Sequence, residues 1–215
     1  MELVITCLEI IGVIAFALSG AIIGLKKGMD LLGVCVLGLT TAVGGGIVRD
    51  LLLGITPPMT FRDPSYFIMS VVVSAIAFIP VFRRPIMTDG RLHDLLLLWT
   101  DSIGLAIFTV CGARSAIYAG FASNSFLVVF VSVVTGVGGG VMRDVFAGDR
   151  PYIFVKHIYA CAALAGAVVC RLLWFHLGEA TSMTIGFVIV LLIRLFSAHF
   201  RWSLPKAGAG TSAKS

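Results

Sequence analysis

Gly44-Gly45-Gly46-Ile47-Val48-Arg49-Asp50-Leu51-Leu52-Leu53-Gly54 decides how this chain folds, because the stretch is written twice. GGGIVRDLLLG at 44–54 returns as GGGVMRDVFAG at 138–148, an offset of 94 residues (138 − 44). The same offset pairs Pro57 with Pro151 and Arg62 with Lys156. Upstream, an offset of 92 pairs Glu9, Gly12, Phe16, Gly20 and Ala21 with Asp101, Gly104, Phe108, Gly112 and Ala113. An ordered set of matches with a single two-residue slip is a duplication, which apolar composition alone does not produce.

The solvent of the duplicated unit follows from composition. The chain has 215 residues, 59% hydrophobic and 13% charged, and its mean hydropathy is +1.05. A soluble domain carries roughly 25% charged residues. Apolar runs near the ~20 residues needed to cross a bilayer recur along the chain. Seven spans are read, at about 3–25, 31–53, 66–82, 95–111, 126–147, 158–174 and 183–200. They are separated by Lys26-Lys27-Gly28, Pro57-Pro58, Arg83-Arg84-Pro85, Asp89-Gly90-Arg91, Gly148-Asp149-Arg150-Pro151 and Gly178-Glu179. Proline, glycine and charge belong at the interface, where water satisfies the backbone. The N-terminus carries Glu2 and no basic n-region, so it reads as the first span and not as a cleaved signal.

Three spans per repeat is an odd number, so the second copy must enter the membrane from the opposite side. The expected fold is an all-α membrane protein of seven transmembrane helices: a first repeat at 1–94, an inverted second repeat at 95–180, and a seventh helix at 181–200. A polar, disordered cytoplasmic tail is expected at 201–215. Basic residues fix the predicted orientation. The side away from the N-terminus holds Lys26, Lys27, Arg83, Arg84, Arg91, Arg150, Lys156, Arg201, Lys206 and Lys214, against Arg62, Arg114 and Arg171 on the other. Ten against three places the N-terminus in the periplasm or exterior and the C-terminus in the cytoplasm. The net charge of +5 reflects the same loops and implies no nucleic acid.

Chemistry concentrates in the duplicated stretch. Each interior glycine costs about 0.8–1 kcal/mol of helix propensity relative to alanine. Gly44, Gly45 and Gly46, like Gly138, Gly139 and Gly140, therefore weaken a helix where lipid offers no replacement hydrogen bonds. One reading is a kink or unwound hinge facing a wet pathway; the other is close helix packing. Arg49-Asp50 and Arg143-Asp144 follow, roughly 10 Å beyond the midplane at 1.5 Å per residue. Neighbouring side chains point about 100° apart, so each pair is expected to need partners from other helices. They read either as guards of the two mouths of a pathway or as ion-pair locks of the bundle. Glu9 and Asp101, at matching repeat positions, can draw cations, pair with Arg49 and Arg143, or snorkel to the interface. Thr40, Thr41, Ser132 and Thr135 offer hydroxyls to a polar lumen or bond back to their own helices. Arg194, without a repeat mate, is expected to snorkel to the cytoplasmic face.

Other chemistries find no support. Cys7, Cys35, Cys111, Cys161 and Cys170 lie in apolar segments with no C-x-x-C spacing and read as packing residues. His93, His157, His176 and His199 are scattered and show no ligand spacing. Gly136-x-Gly138 has no preceding strand, and no Walker A lysine follows a glycine loop. No enzyme activity, metal or cofactor is expected.

Two G-G-G-x-x-R-D motifs, an F-x-x-x-G pattern upstream of each and seven spans resemble the prokaryotic trimeric intracellular cation (TRIC) channel family. That family overlaps a bacterial group labelled glycine transporter, and the resemblance covers roughly residues 5–200. It implies a homotrimer in the inner membrane with one pore per protomer for monovalent cations, chiefly K⁺. Carried over by motif, Gly44, Gly45, Gly46, Arg49, Asp50, Gly138, Gly139, Gly140, Arg143 and Asp144 become pore or gate residues. The phosphoinositide binding of animal members is not carried over. Three functions remain open from the residues themselves: a cation channel, a carrier for a small zwitterion such as glycine, and a structural or lipid-handling membrane protein.

Overall fold

The computed structural model describes residues 2–155, 158–200 and 202, all helix and connecting turns. Lys156, His157, Arg201, Lys206, Lys214 and the rest of the expected tail, save Trp202, lie outside the described residues. The helices are α1 (Glu2–Lys26), α2 (Leu31–Leu52), α3 (Met59–Arg62), α4 (Ser65–Phe78), α5 (Pro80–Thr88) and α6 (Gly90–Ala116). After a π-helical turn at Ile117–Phe121 come α7 (Ser125–Phe146), α8 (Tyr152–Val155), α9 (Ile158–Leu177) and α10 (Glu179–His199).

Six of these helices are long and apolar enough to cross a membrane. The expected third span, 66–82, is not one straight helix. It breaks at Ile79 into α4 and α5, which meet at a 69° bend. The cause is Pro80: it lacks an N–H, and its ring drives the preceding residue out of the helical region. Ile79 accordingly sits at φ −59°, ψ 135°. The count is seven spans only if the bent pair is taken as one.

The duplication is visible in the backbone. Asp30 Oδ1 caps α2 by accepting from Gly33 N at 2.7 Å, and Asn124 Oδ1 caps α7 by accepting from Leu127 N at 3.0 Å. Both helices end identically. Gly54 and Gly148 each take φ +73°, donating to Leu51 O and Val145 O, while Ile55 N and Asp149 N return to Asp50 O and Asp144 O.

Helix contacts repeat as well, and they are reciprocal. A Cβ at Gly104 would strike Phe16, and one at Gly12 would meet Phe108 at 3.2 Å. A Cβ at Gly45 would strike the Thr135 carbonyl, and one at Gly139 the Thr41 carbonyl. Residues later in one helix thus meet residues earlier in the other, so α1 runs antiparallel to α6, and α2 to α7. Within each half, Gly20 lies against Thr41 and Gly112 against Thr135, packing α1 on α2 and α6 on α7.

The glycine triplets are α-helical throughout, within unbroken α2 and α7. The unwound hinge read from the sequence is absent; close packing explains the glycines other than Gly46 instead. At Gly45, Gly138 and Gly139 the missing side chain lets a partner backbone approach, and at Gly44 and Gly140 it makes room for Met142 and Tyr159. Around this crossing Val13, Phe16, Val43, Leu105, Phe108 and Val137 form an apolar core, with the Phe16 and Phe108 rings 5.2 Å apart.

The triplet positions should therefore tolerate substitution unequally. Gly45→Ala and Gly139→Ala push a methyl into a backbone carbonyl that cannot step aside, at about 1–3 kcal/mol. A Cβ at Gly46 would meet only the tip of Arg49, at 3.8 Å. Thermal unfolding in detergent should show lower midpoints for the first two variants and none for Gly46→Ala.

Candidate functional site

Arg143 is the largest side chain fully buried in the protein. A lone guanidinium in hydrocarbon is costly, so its surroundings must neutralise it. Side chains of α1, α6, α8, α9 and α10 do so, together with Asp144 of its own helix. Arg143 Nη1 donates to Asp101 Oδ1 of α6 at 2.7 Å and to the Ser19 hydroxyl of α1. Its Nε donates to Asp144 Oδ1 at 2.9 Å, and Tyr152 covers its face, the ring 5.1 Å away. Asp101 accepts further from Tyr159 Oη of α9 at 3.3 Å. Its second oxygen lies 3.3 Å from Arg194 Nη2 of α10. Asp144 Oδ2 takes the Tyr152 backbone N–H at 2.8 Å. Two carboxylates and two guanidiniums leave the cluster neutral.

The matching cluster in the first half is looser. Arg49 Nε donates to Asp50 Oδ1 at 2.8 Å, and Asp50 Oδ2 accepts from Met59 N at 2.8 Å. Glu9 accepts from Tyr66 Oη at 2.7 Å. Glu9, Arg49, Gly46, Tyr66 and Phe108 share the lining of a small cavity of about 50 Å³. Here two carboxylates face one guanidinium, an excess of one negative charge.

Several sequence expectations need correcting. Each Arg-Asp pair does bond to itself: the long arginine folds back along the helix, and the ~100° between neighbours is no obstacle. Arg194 does not snorkel. It is 4% exposed, bonded to Asp101, with its guanidinium 4.7 Å above the Tyr159 ring. Thr41, Ser132 and Thr135 spend their hydroxyls on Leu37 O, Val128 O and Val131 O of their own helices, each at 2.6 Å. Thr40 does the same with Val36 O at 2.9 Å. Of the alternatives for the two repeat-matched carboxylates, Asp101 pairs with Arg143, whereas Glu9 goes to Tyr66. The glycines Gly44, Gly138 and Gly140 lie against Met142, Gly45 and Tyr159.

Sequence reading missed Ser19, Tyr66, Tyr152 and Tyr159. The two hydroxyl partners carry a signal, since Tyr66 and Tyr159 stand 93 residues apart, between the two repeat offsets. Ser19 and Tyr152 carry none. On the side where α1 ends and α6 begins, a cavity of about 500 Å³ reaches Asp101 and Arg194 past Asp94, Tyr152 and Ser197. A neighbouring one of about 430 Å³ runs past Lys27, Asp149 and Asp94. Between the two clusters lies the apolar core, whose Val13, Val43 and Phe108 also line the small cavity beside Glu9.

Asp101→Asn leaves Arg194 without a carboxylate and Arg143 with Asp144 alone, and breaking such a buried pair costs about 3–5 kcal/mol. Removing Arg194 as well restores neutrality. A thermal-stability cycle should therefore find Asp101→Asn strongly destabilised and the Asp101→Asn, Arg194→Gln double variant less so than the sum of the singles.

The family model described as Glycine transporter matches residues 6–81 and again 98–175, one copy of the glycine motif in each. A UPF0126 membrane protein of Deinococcus radiodurans is 41% identical over 200 residues, 92% of this chain and 89% of its own length. The UPF0126 inner membrane protein YadS of Escherichia coli strain K12 is 37% identical over 200 residues, 92% of this chain and 93% of its own. A prokaryotic TRIC channel crystallised in 0.5 M KCl superposes with a TM-score of 0.85 at 33% identity, covering 95% of this chain and 100% of that one. A chain solved for the structural basis of conductance through TRIC cation channels gives 0.83 at 38% identity, covering 96% and 98%. The TRIC orthologue from Rhodobacter sphaeroides gives 0.84 at 32%, covering 93% and 99%. The chain belongs to the glycine transporter (UPF0126) family of membrane proteins, the group that overlaps the prokaryotic TRIC channels, whose fold it shares.

Proposed function

We propose that this protein is a monovalent cation channel, conducting chiefly K⁺ through one pore in each protomer of a homotrimer. The observation that carries the reading is the pair of charge clusters, Arg49-Asp50-Glu9 and Arg143-Asp144-Asp101, set on either side of the apolar core at the α2–α7 crossing. The likeness of nearly the whole chain to TRIC cation channels supports it.

Two inverted three-helix repeats plus α10 make up the pore unit in this reading. The antiparallel, reciprocal glycine contacts of α1 with α6 and α2 with α7 support that plan. Residues 1–94, 95–180 and 181–200 are its parts, with the N-terminus outside and the C-terminus in the cytoplasm. The pore runs between α2 and α7, and the structure corresponds to its closed state. Arg143, tied to Asp101 and Asp144, plugs one mouth. Opening releases it, so that Asp101 and Asp144 face a permeating cation in place of the guanidinium. The glycine contacts suit this role, because two backbones without side chains between them can slide with little steric cost.

Reconstituted protein should show unitary K⁺ currents, since only a channel passes very many ions per opening, and no saturable glycine uptake. Arg143→Gln should raise the open fraction several-fold. Glycine uptake without unitary current would overturn the channel in favour of a carrier. Absence of both would leave a structural lock.

A further inference from the structure

A separate cavity lies at the bend between α4 and α5 and shares no lining residue with the three described above. Its volume is about 480 Å³. Leu25, Gly28 and Met29 form one wall, where α1 ends; Phe78, Arg83 and Arg84 form the other. Helix α4 has 14 residues, about 21 Å of rise, which falls short of a ~30 Å hydrocarbon core. The chain then turns through 69° into α5, so α5 lies over towards the membrane plane.

The composition of α5 fits that position. Val81, Phe82 and Met87 are large, apolar and exposed, although Arg83 and Arg84 stand among them. Apolar side chains on one part of a short helix and arginines on another are what an interfacial helix needs. The charges are also uncommitted. Among the described residues, neither Arg83 nor Arg84 has an ion pair or a side-chain hydrogen bond. Arg83 is held only by stacking, its guanidinium 5.0 Å from the Phe78 ring, which leaves its N–H donors free. No carboxylate lines the cavity. The nearest carboxylate in sequence, Asp89, is occupied in capping α6 through Arg91 N and Leu92 N. The opposite wall does not compete either, since Gly24 O and Leu25 O already accept from Met29 N and Gly28 N. At Gly28 a Cβ would meet nothing within 4 Å, so the cavity is open there.

We infer that this cavity binds the phosphate of an anionic phosphate ester, with Arg83 and Arg84 as its donors. Paired guanidiniums match phosphate oxygens in charge and in planar geometry. A glycerophospholipid headgroup is the source that also uses the exposed Val81, Phe82 and Met87, over which its acyl chains lie. The inference is independent of what the protein conducts.

Native mass spectrometry of the full chain, purified in detergent, tests it with three probes: phosphatidylglycerol, phosphatidylcholine and inorganic phosphate. An arginine beside an anionic headgroup is worth about fivefold in occupancy. Phosphatidylglycerol should therefore be retained well above phosphatidylcholine, and the Arg83→Gln, Arg84→Gln double variant should lose about tenfold or more of it. Arg91→Gln, outside the cavity, should retain it like the parent. Equal protection against thermal unfolding by inorganic phosphate, also lost in the double variant, would keep the phosphate site and assign it to the free anion. Elution of the double variant at the parent volume shows that it is folded. Phosphatidylglycerol and phosphate binding both unchanged in that folded variant, or absent from the parent, overturns the inference.

Discussion

Two helices that touch backbone to backbone set the terms for everything else in this protein. Gly45 of α2 and Gly139 of α7 lie against the carbonyls of Thr135 and Thr41, so nothing separates the two chains but main-chain atoms. In lipid there is no hydrophobic force to press helices together, and close van der Waals contact takes its place. The crossing fixes where the following turns of both helices go. Arg49 and Arg143, a turn beyond the glycines, therefore emerge on opposite sides of the contact, each inside the bundle.

Neutralising those arginines explains the placement of the remaining elements. Asp101 on α6, Ser19 on α1 and Tyr152 on α8 converge on Arg143, and Tyr159 on α9 reaches it through Asp101. Helix α10, which has no counterpart in the first half, brings Arg194 to the second oxygen of Asp101. Without it the second cluster would carry an excess negative charge, as the first one does. The two charge clusters of a duplicated unit thus differ by one guanidinium from outside the duplication. That difference makes one cluster neutral and leaves the other with two carboxylates to one guanidinium, and a cavity reaches each of them.

The same economy of contacts separates the two kinds of arginine in the protein. Those packed inside the bundle, Arg49, Arg143 and Arg194, are each bonded to a carboxylate. Arg83 and Arg84, on the short helix α5 at the edge of the bundle, are not. Their partners, where they have any, come from outside the chain.

Much of this was legible in the sequence. Apolar runs set the membrane as solvent, and the repeated GGG-x-x-RD stretch determined the duplication and the pairs of charges, because both depend on residue order alone. Helix caps followed the same offset, as Asp30 and Asn124 show. What the residues could not reveal were choices between partners. Whether glycine meant a break or a contact depended on what stood opposite it, and only the crossing of α2 with α7 supplied the Thr41 and Thr135 carbonyls. Whether Arg194 reached the headgroups or a carboxylate depended on α10 docking against α6. Periodicity and spacing describe one helix at a time, whereas burial of a charge is decided by the other helices that surround it.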